Sequence, residues 1–321
     1  MKREDIHRNL MAALEKKFPE RTHLVEKLMG ILFMEKGAIY RRLRGDVPFS
    51  FYEVVMIADK LELSFHNLIY TDSMQTDRFE LNILDYANMH ETDYKTWEDY
   101  IALFGMAKND PRSKYAQSSN ALPLSVYARY DSLSKYFLFK YLYLLSEKGS
   151  RILYSTTVLT ERLRRIFQSY HDKLKIFNKT IYVWDYLIFR YLVTDIKFFS
   201  SINLIFADEI KQIKEDLFDL VDYIEQIAIQ GCFKETGTPV SFYISDVNLD
   251  ADYRYLQIND LRISHVRTFI LNTVVSTNPA AFEKLRQWIH SLKKSSTLIT
   301  QSGTVYRVDF FERQRKIISE L

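Results

Sequence analysis

Apolar residues recur along the first sixty positions with the period of a helix, not of a strand. Leu24, Val25, Leu28 and Met29 stand at i, i+1, i+4 and i+5, which predicts a one-sided helix running to about Leu32. From Met34 to Gly45, Ala38, Ile39 and Leu43 take one side of a helix at 100° per residue, while Lys36, Gly37, Tyr40, Arg41 and Arg44 share an arc of about 140° on the other. Gly45 supplies the left-handed residue that ends such a helix, and Asp46-Val47-Pro48 forbids its continuation. Ser50-Phe51-Tyr52-Glu53 reads as a capping box, with Phe49 and Val54 as its hydrophobic staple, opening a helix through Val55, Ile57, Ala58 and Leu61. Ser64 is placed to cap a further short turn through Leu68, and an initial helix spans roughly Glu4 to Phe18. Five short helices are thus expected in the first 70 or so residues.

This order of caps, stops and faces resembles the Cro/CI-like, or XRE-type, helix-turn-helix domains of bacterial and phage repressors, over about Arg8 to Tyr70. The matching parts are the scaffold helix from Leu24 to Leu32, the turn at Phe33, the helix from Met34 to Gly45, and the step Leu61-Glu62-Leu63-Ser64. The chain has Met29 where the family often has alanine, and Phe33 where it commonly has glycine. The resemblance implies a five-helix, lambda-repressor-like domain whose second helix enters the major groove of duplex DNA. It assigns DNA contact to Lys36, Gly37, Tyr40, Arg41, Arg42 and Arg44, with Lys36, Tyr40 and Arg41 at base edges and Arg42 and Arg44 nearer phosphates. Lys and Arg only slightly outnumber Asp and Glu in this part of the chain, so binding rests on a local patch and calls for two copies of it.

Beyond the head, Thr71 to Asp77 is polar and aperiodic, as a linker would be. Helical patterns then cover Trp97 to Ala107, Ser132 to Ser146, Thr160 to Phe177, Tyr186 to Ser200, and Asp208 to Gln230 before a stop at Gly231. Lys108 to Leu124, with Asn-Asp-Pro and Ser-Ser-Asn, reads as a long exposed connection. From Pro239 the period changes to two. Val240 to Val247, Tyr253 to Ile258 and Leu261 to Leu271 read as strands, with Asn259-Asp260 as a tight turn. Asn278 and Pro279 open a helix through Trp288, and Ser296 to Thr300 with Thr304 to Phe310 reads as a second hairpin. The fold expected is mainly α with a C-terminal α+β part. It comprises a DNA-binding head over residues 1–72, a linker over 73–78, a helical aromatic-rich body over 79–235, and a unit with a small antiparallel sheet over 236–321.

With 321 residues, 47% hydrophobic, and a formal charge of +3, the chain has the composition of a globular protein with real cores. Its single cysteine, Cys232, excludes an internal disulfide and suits a reducing cytoplasm, and Met1 to Asp5 lacks the apolar run of a signal peptide. Two aromatic stretches are unsuited to a membrane: Tyr136 to Leu145 is too short, and Ile181 to Phe206 carries Asp185, Arg190, Asp195 and Lys197.

No phosphate loop, dinucleotide fingerprint, zinc motif or nucleophile elbow is present. Asp246, Asp250 and Asp252 lack calcium-loop spacing and read as turn residues. His171-Asp172 on an amphipathic helix reads as a local pair, and Cys232 as a small inert side chain. Neither a cofactor nor a metal is implied. The 22 tyrosines serve a plain core and a dimer interface on one reading, and a hydroxyl-lined pocket for a small-molecule effector on another. The function expected is that of a cytoplasmic, sequence-specific transcription regulator that binds double-stranded DNA as a homodimer and acts by binding, not catalysis. An enzyme with an autoregulatory DNA-binding head and a protein-interaction scaffold are the alternatives.

Overall fold

A computed structural model describes residues 3–61, 63, 80–147 and 151–321, which form two compact units, Met1–Thr76 and Asp77–Leu321. The expected Ser64 turn and the expected linker from Thr71 to Asp77 lie outside the described residues.

In the first unit, helices α1 (Arg3–Lys17), α2 (Arg21–Leu32), α3 (Lys36–Leu43) and α4 (Phe51–Lys60) surround a core of Leu14, Leu24, Leu28, Ile39 and Ile57. The apolar spacing seen in the sequence is what converges there, since i, i+3 and i+4 positions share a helix face. Lys17 ties α1 to the end of α4 by donating from Nζ to the Leu61 carbonyl.

The second unit is built on one eight-stranded mixed sheet, in the order β1-β7-β6-β5-β2-β3-β4-β8. The strands are β1 (Glu80–Asn82), β2 (Lys114–Ser119), β3 (Lys179–Asp185), β4 (Val240–Ser245), β5 (Tyr253–Ile258), β6 (Leu261–Thr268), β7 (Asn272–Ser276) and β8 (Ser296–Leu298). Strands β2, β3 and β4 run parallel, and every other pairing is antiparallel.

This overturns the expectation of a mainly α chain that ends in a small antiparallel sheet. Parallel neighbours need long crossovers, and these are supplied by the helices that read as an independent body. Helices α6 (Leu124–Tyr127), α7 (Asp131–Leu145) and α8 (Glu161–Leu174) join β2 to β3, and α9 (Arg190–Ser201) and α10 (Ala207–Gln230) join β3 to β4. The stretch expected as an exposed connection holds β2, whose last five residues are buried at the middle of the sheet. The stretch expected as the final strand is instead a helix, α12 (Thr304–Ser319).

Alternation along the strands divides the core in two. Tyr182, Trp184, Phe242 and Leu256 face a large cluster formed with α5 (Glu91–Phe104), α7, α8, α10 and α12. Ala116, Ile181, Val183 and Tyr255 face the other way, onto Phe282, Leu285 and Ile289 of α11 (Pro279–Leu292). The aromatic run from Tyr136 to Tyr143 belongs to the larger cluster, where Phe139 meets Phe199 edge to face at 4.9 Å. Among the described residues no helix is long and apolar enough to cross a membrane.

Candidate nucleic-acid interface

Helix α3 is held by its apolar side. Ile39 is fully buried and Leu43 nearly so, against Leu24, Leu28 and Ile57. That leaves the opposite side outward: Lys36, Gly37, Arg41 and Arg44 are exposed, and Tyr40 is half-buried against the core. The helix ends as its sequence demands. Gly45 takes the left-handed conformation at φ 84°, and its amide donates to the Arg42 carbonyl at 3.0 Å.

The α2–α3 turn has an unexpected feature. Phe33 takes the left-handed conformation, φ 54° and ψ 42°, with its ring almost wholly in solvent. An L side chain there is strained, which is why glycine is the usual occupant of such a position.

The capping box at the start of α4 forms as read, with the Glu53 amide donating to Ser50 Oγ and the Ser50 amide donating to the Glu53 carboxylate at 2.7 Å. Glu53 does more than cap. Arg42 reaches across from α3 and donates to both its oxygens, Nε at 3.1 Å and Nη2 at 2.8 Å. Burial alone would raise the Glu53 pKa, but the bonds from Arg42 and the Ser50 amide outweigh it and hold the carboxyl below its ordinary range. Arg42 therefore braces α3 against α4.

The remaining cations are differently placed. Arg44 makes one surface pair with Asp46 at 3.1 Å, both side chains more than half exposed. Such a pair contributes little and exchanges readily for another anion. Among the described residues no carboxylate pairs with Lys36 or Arg41. The arc thus presents Lys36, Gly37, Tyr40, Arg41 and Arg44 together on a rigid support, and it separates Arg42 from them. Sequence reasoning missed the part played by Glu53, because its partner lies eleven residues away on another helix.

The other residues singled out in the sequence do not converge on a reactive centre. Asp252 is buried and accepts hydrogen bonds from Gln117 and Ser119, while Asp246 accepts from the Tyr306 hydroxyl at 2.6 Å. His171 is buried and donates from Nδ1 to the Ser125 carbonyl at 2.8 Å. Cys232 is half-buried. Comparison with models of known protein families, with curated proteins and with solved structures finds no match for the chain.

Proposed function

We propose that the chain is a sequence-specific transcription regulator of the XRE helix-turn-helix type, contacting duplex DNA through α3. One observation carries the reading: Lys36, Gly37, Arg41 and Arg44 are exposed together on a short helix whose other side is locked into a core and braced by Arg42–Glu53. A solvated charged helix needs no such brace, whereas reading base edges requires side chains held in register by a rigid element.

A single short helix offers few phosphate contacts, and repressors of this architecture gain affinity by setting two heads on half-sites about one helical turn apart. The reading therefore includes a homodimer. It also includes a cytoplasmic setting, which the single cysteine suits.

Selection from fragmented genomic DNA by the full chain, followed by footprinting, tests the assignment. Enriched fragments should share paired half-sites centred about 10 base pairs apart or a multiple of that. Retention of all fragments alike, or binding indifferent to salt, overturns it.

A further inference from the structure

Arg254 stands near the centre of the sheet of the second unit, on the face that the large helical cluster covers. Its register partners are Gln117 on β2 and His265 on β6, so three polar side chains form one row across β2, β5 and β6. The row continues into Tyr182 on one side and Val275 on the other.

Gln117 is fully partnered. Its Nε2 donates to Asp252 at 2.9 and 3.1 Å, and its Oε1 accepts from the hydroxyls of Tyr115 and Ser125 at 2.7 and 2.9 Å. Arg254 is not. It is 8% exposed, its Nη1 donates to the Tyr170 hydroxyl at 3.0 Å, and its Nε has no partner. Among the described residues no carboxylate forms an ion pair with it; Asp252 is taken up by Gln117, Ser119 and, at 3.7 Å, Arg267. A guanidinium is charged at every accessible pH, and burying one is costly when its carboxylate neighbour, Asp252, acts on it only from beyond ion-pair distance and is engaged elsewhere.

A cavity of about 160 Å³ opens beside this guanidinium. His265 and Tyr100 stand with Arg254 at its polar end, and the His265 Nδ1 and the Tyr100 hydroxyl also lack partners. Burial, and after it the Arg254 charge, holds His265 well below the ordinary histidine range; burial pushes the Tyr100 hydroxyl well above its own. Both are neutral at physiological pH, so Arg254 is the one charge at that end. Leu84, Trp97 and Val275 line the apolar remainder.

We propose that this cavity binds a small monocarboxylate, its carboxylate on Arg254 and its hydrocarbon part against Leu84, Trp97 and Val275. The charges match one to one, and a guanidinium takes a carboxylate through two parallel hydrogen bonds. A phosphate monoester would bring a second negative charge into an apolar lining that cannot answer it. The volume suits ~6 to 9 non-hydrogen atoms, since a cavity near this size holds benzene. Binding of this ligand does not depend on the DNA-binding assignment.

Calorimetric and thermal-unfolding titrations of the full chain with butyrate, hexanoate and benzoate test the site, set against the matching amides and inorganic phosphate. The carboxylates should bind and raise the melting temperature with concentration, and the amides and phosphate should do neither. Arg254→Met should abolish binding. Val275→Trp, which fills the cavity and leaves the guanidinium in place, should weaken it at least tenfold with an unchanged circular dichroism spectrum. Should Arg254→Met fail to fold, Val275→Trp decides alone. Equal binding of carboxylates and amides, equal binding of phosphate, failure of all three carboxylates to bind, or full affinity in folded Val275→Trp overturns the proposal.

Discussion

Arg42 of α3 holds both carboxylate oxygens of Glu53 on α4, at 2.8 and 3.1 Å, and the same carboxylate caps α4 by accepting the Ser50 amide. One buried acid thereby fixes the end of one helix to the start of the next. Arg42→Ala leaves that acid with its cap but without its counter-charge, at a cost of about 1–3 kcal/mol. Amide exchange at Ile39, Leu43 and Val54 should accelerate by about fivefold or more, while the slope of DNA affinity against salt stays as in the wild type. A slope reduced by one would instead make Arg42 a phosphate contact. Because the Glu53 pKa is lowered in the folded state, this brace is at full strength above the ordinary carboxylate range and is lost as pH falls through the lowered value.

Arg41 and Arg44 should separate by the kind of contact each makes. Arg41 is exposed on the arc without an ion-pair partner among the described residues, and if it reads a guanine edge Arg41→Ala costs about 1–3 kcal/mol on the selected site alone. Arg44 lies at the end of the helix in a loose pair with Asp46, so Arg44→Ala should weaken all sequences alike and flatten the salt slope by about one. Equal, sequence-independent losses for both variants would reduce α3 to a nonspecific patch.

The strain at Phe33 is removable. Its ring is 89% exposed, so little packing is lost with it, whereas φ 54° disfavours any L side chain. Phe33→Gly should stabilise the head by about 1 kcal/mol, after allowance for the greater freedom of glycine in the unfolded chain. Slower amide exchange across α2 and α3 is the expected reading; faster exchange would show that the ring contributes more than its exposure implies.

Local rules made the head legible, and their absence concealed the sheet. Ser50 with Glu53, Gly45, Gly231, and Asn278 with Pro279 each act within one helical turn, and each does what its position predicts. By contrast β2 has the sequence Lys-Tyr-Ala-Gln-Ser-Ser, which reads as a connection because its burial depends on Asp252, more than 130 residues away, accepting from Gln117 and Ser119. The apolar run Ile181 to Trp184 is buried on both faces, and such a run cannot be told by period from a buried helix. In β5, Arg254 shares parity with Leu256 and Ile258, so its inward direction was present in the alternation. What the sequence could not supply was that Asp252, two residues away, turns to Gln117 and Ser119 and makes no direct pair with Arg254.

Gly303 marks the place where the last element was misread. Thr304 to Phe310 alternates like a strand, yet Phe310, Phe311, Gln314, Ile317 and Ile318 repeat at helical spacing and are all buried on one side of α12. Gly303 starts that helix at φ 59°, where an added Cβ would stand 2.7 Å from the Leu298 carbonyl oxygen. Gly303→Ala should therefore cost more than about 2 kcal/mol, combining left-handed strain with a clash against backbone. At Gly231 the atoms nearest an added Cβ belong to the Gln301 side chain, which can swing aside where a carbonyl oxygen of the backbone cannot, so Gly231→Ala should cost less than Gly303→Ala, about 1–2 kcal/mol. Equal urea midpoints for the two variants would contradict this ranking.

His171 gives the second unit a defined dependence on pH. Its Nδ1 donates to the Ser125 carbonyl and its Nε2 has no partner, so the native site holds the neutral ring. Burial first, and then the Lys175 charge, lower its pKa to about 4; the bond to the Ser125 carbonyl and the Asp172 charge act against that shift, and Arg129 acts with it. The unfolded chain takes up a proton near pH 6.5. Between these values the unfolded state binds more protons than the native one, so stability is full above about pH 6.5 and declines as pH falls toward 4. The gap corresponds to a loss of about 3 kcal/mol. His265, buried and neutral in the same way, adds a loss of the same sign. His171→Asn keeps a donor for the Ser125 carbonyl but removes the titration, so the decline in urea midpoint from pH 7 to 4.5 should be shallower in the variant than in the wild type. Parallel declines would show that His171 is already protonated in the native state or is exposed before the unit unfolds.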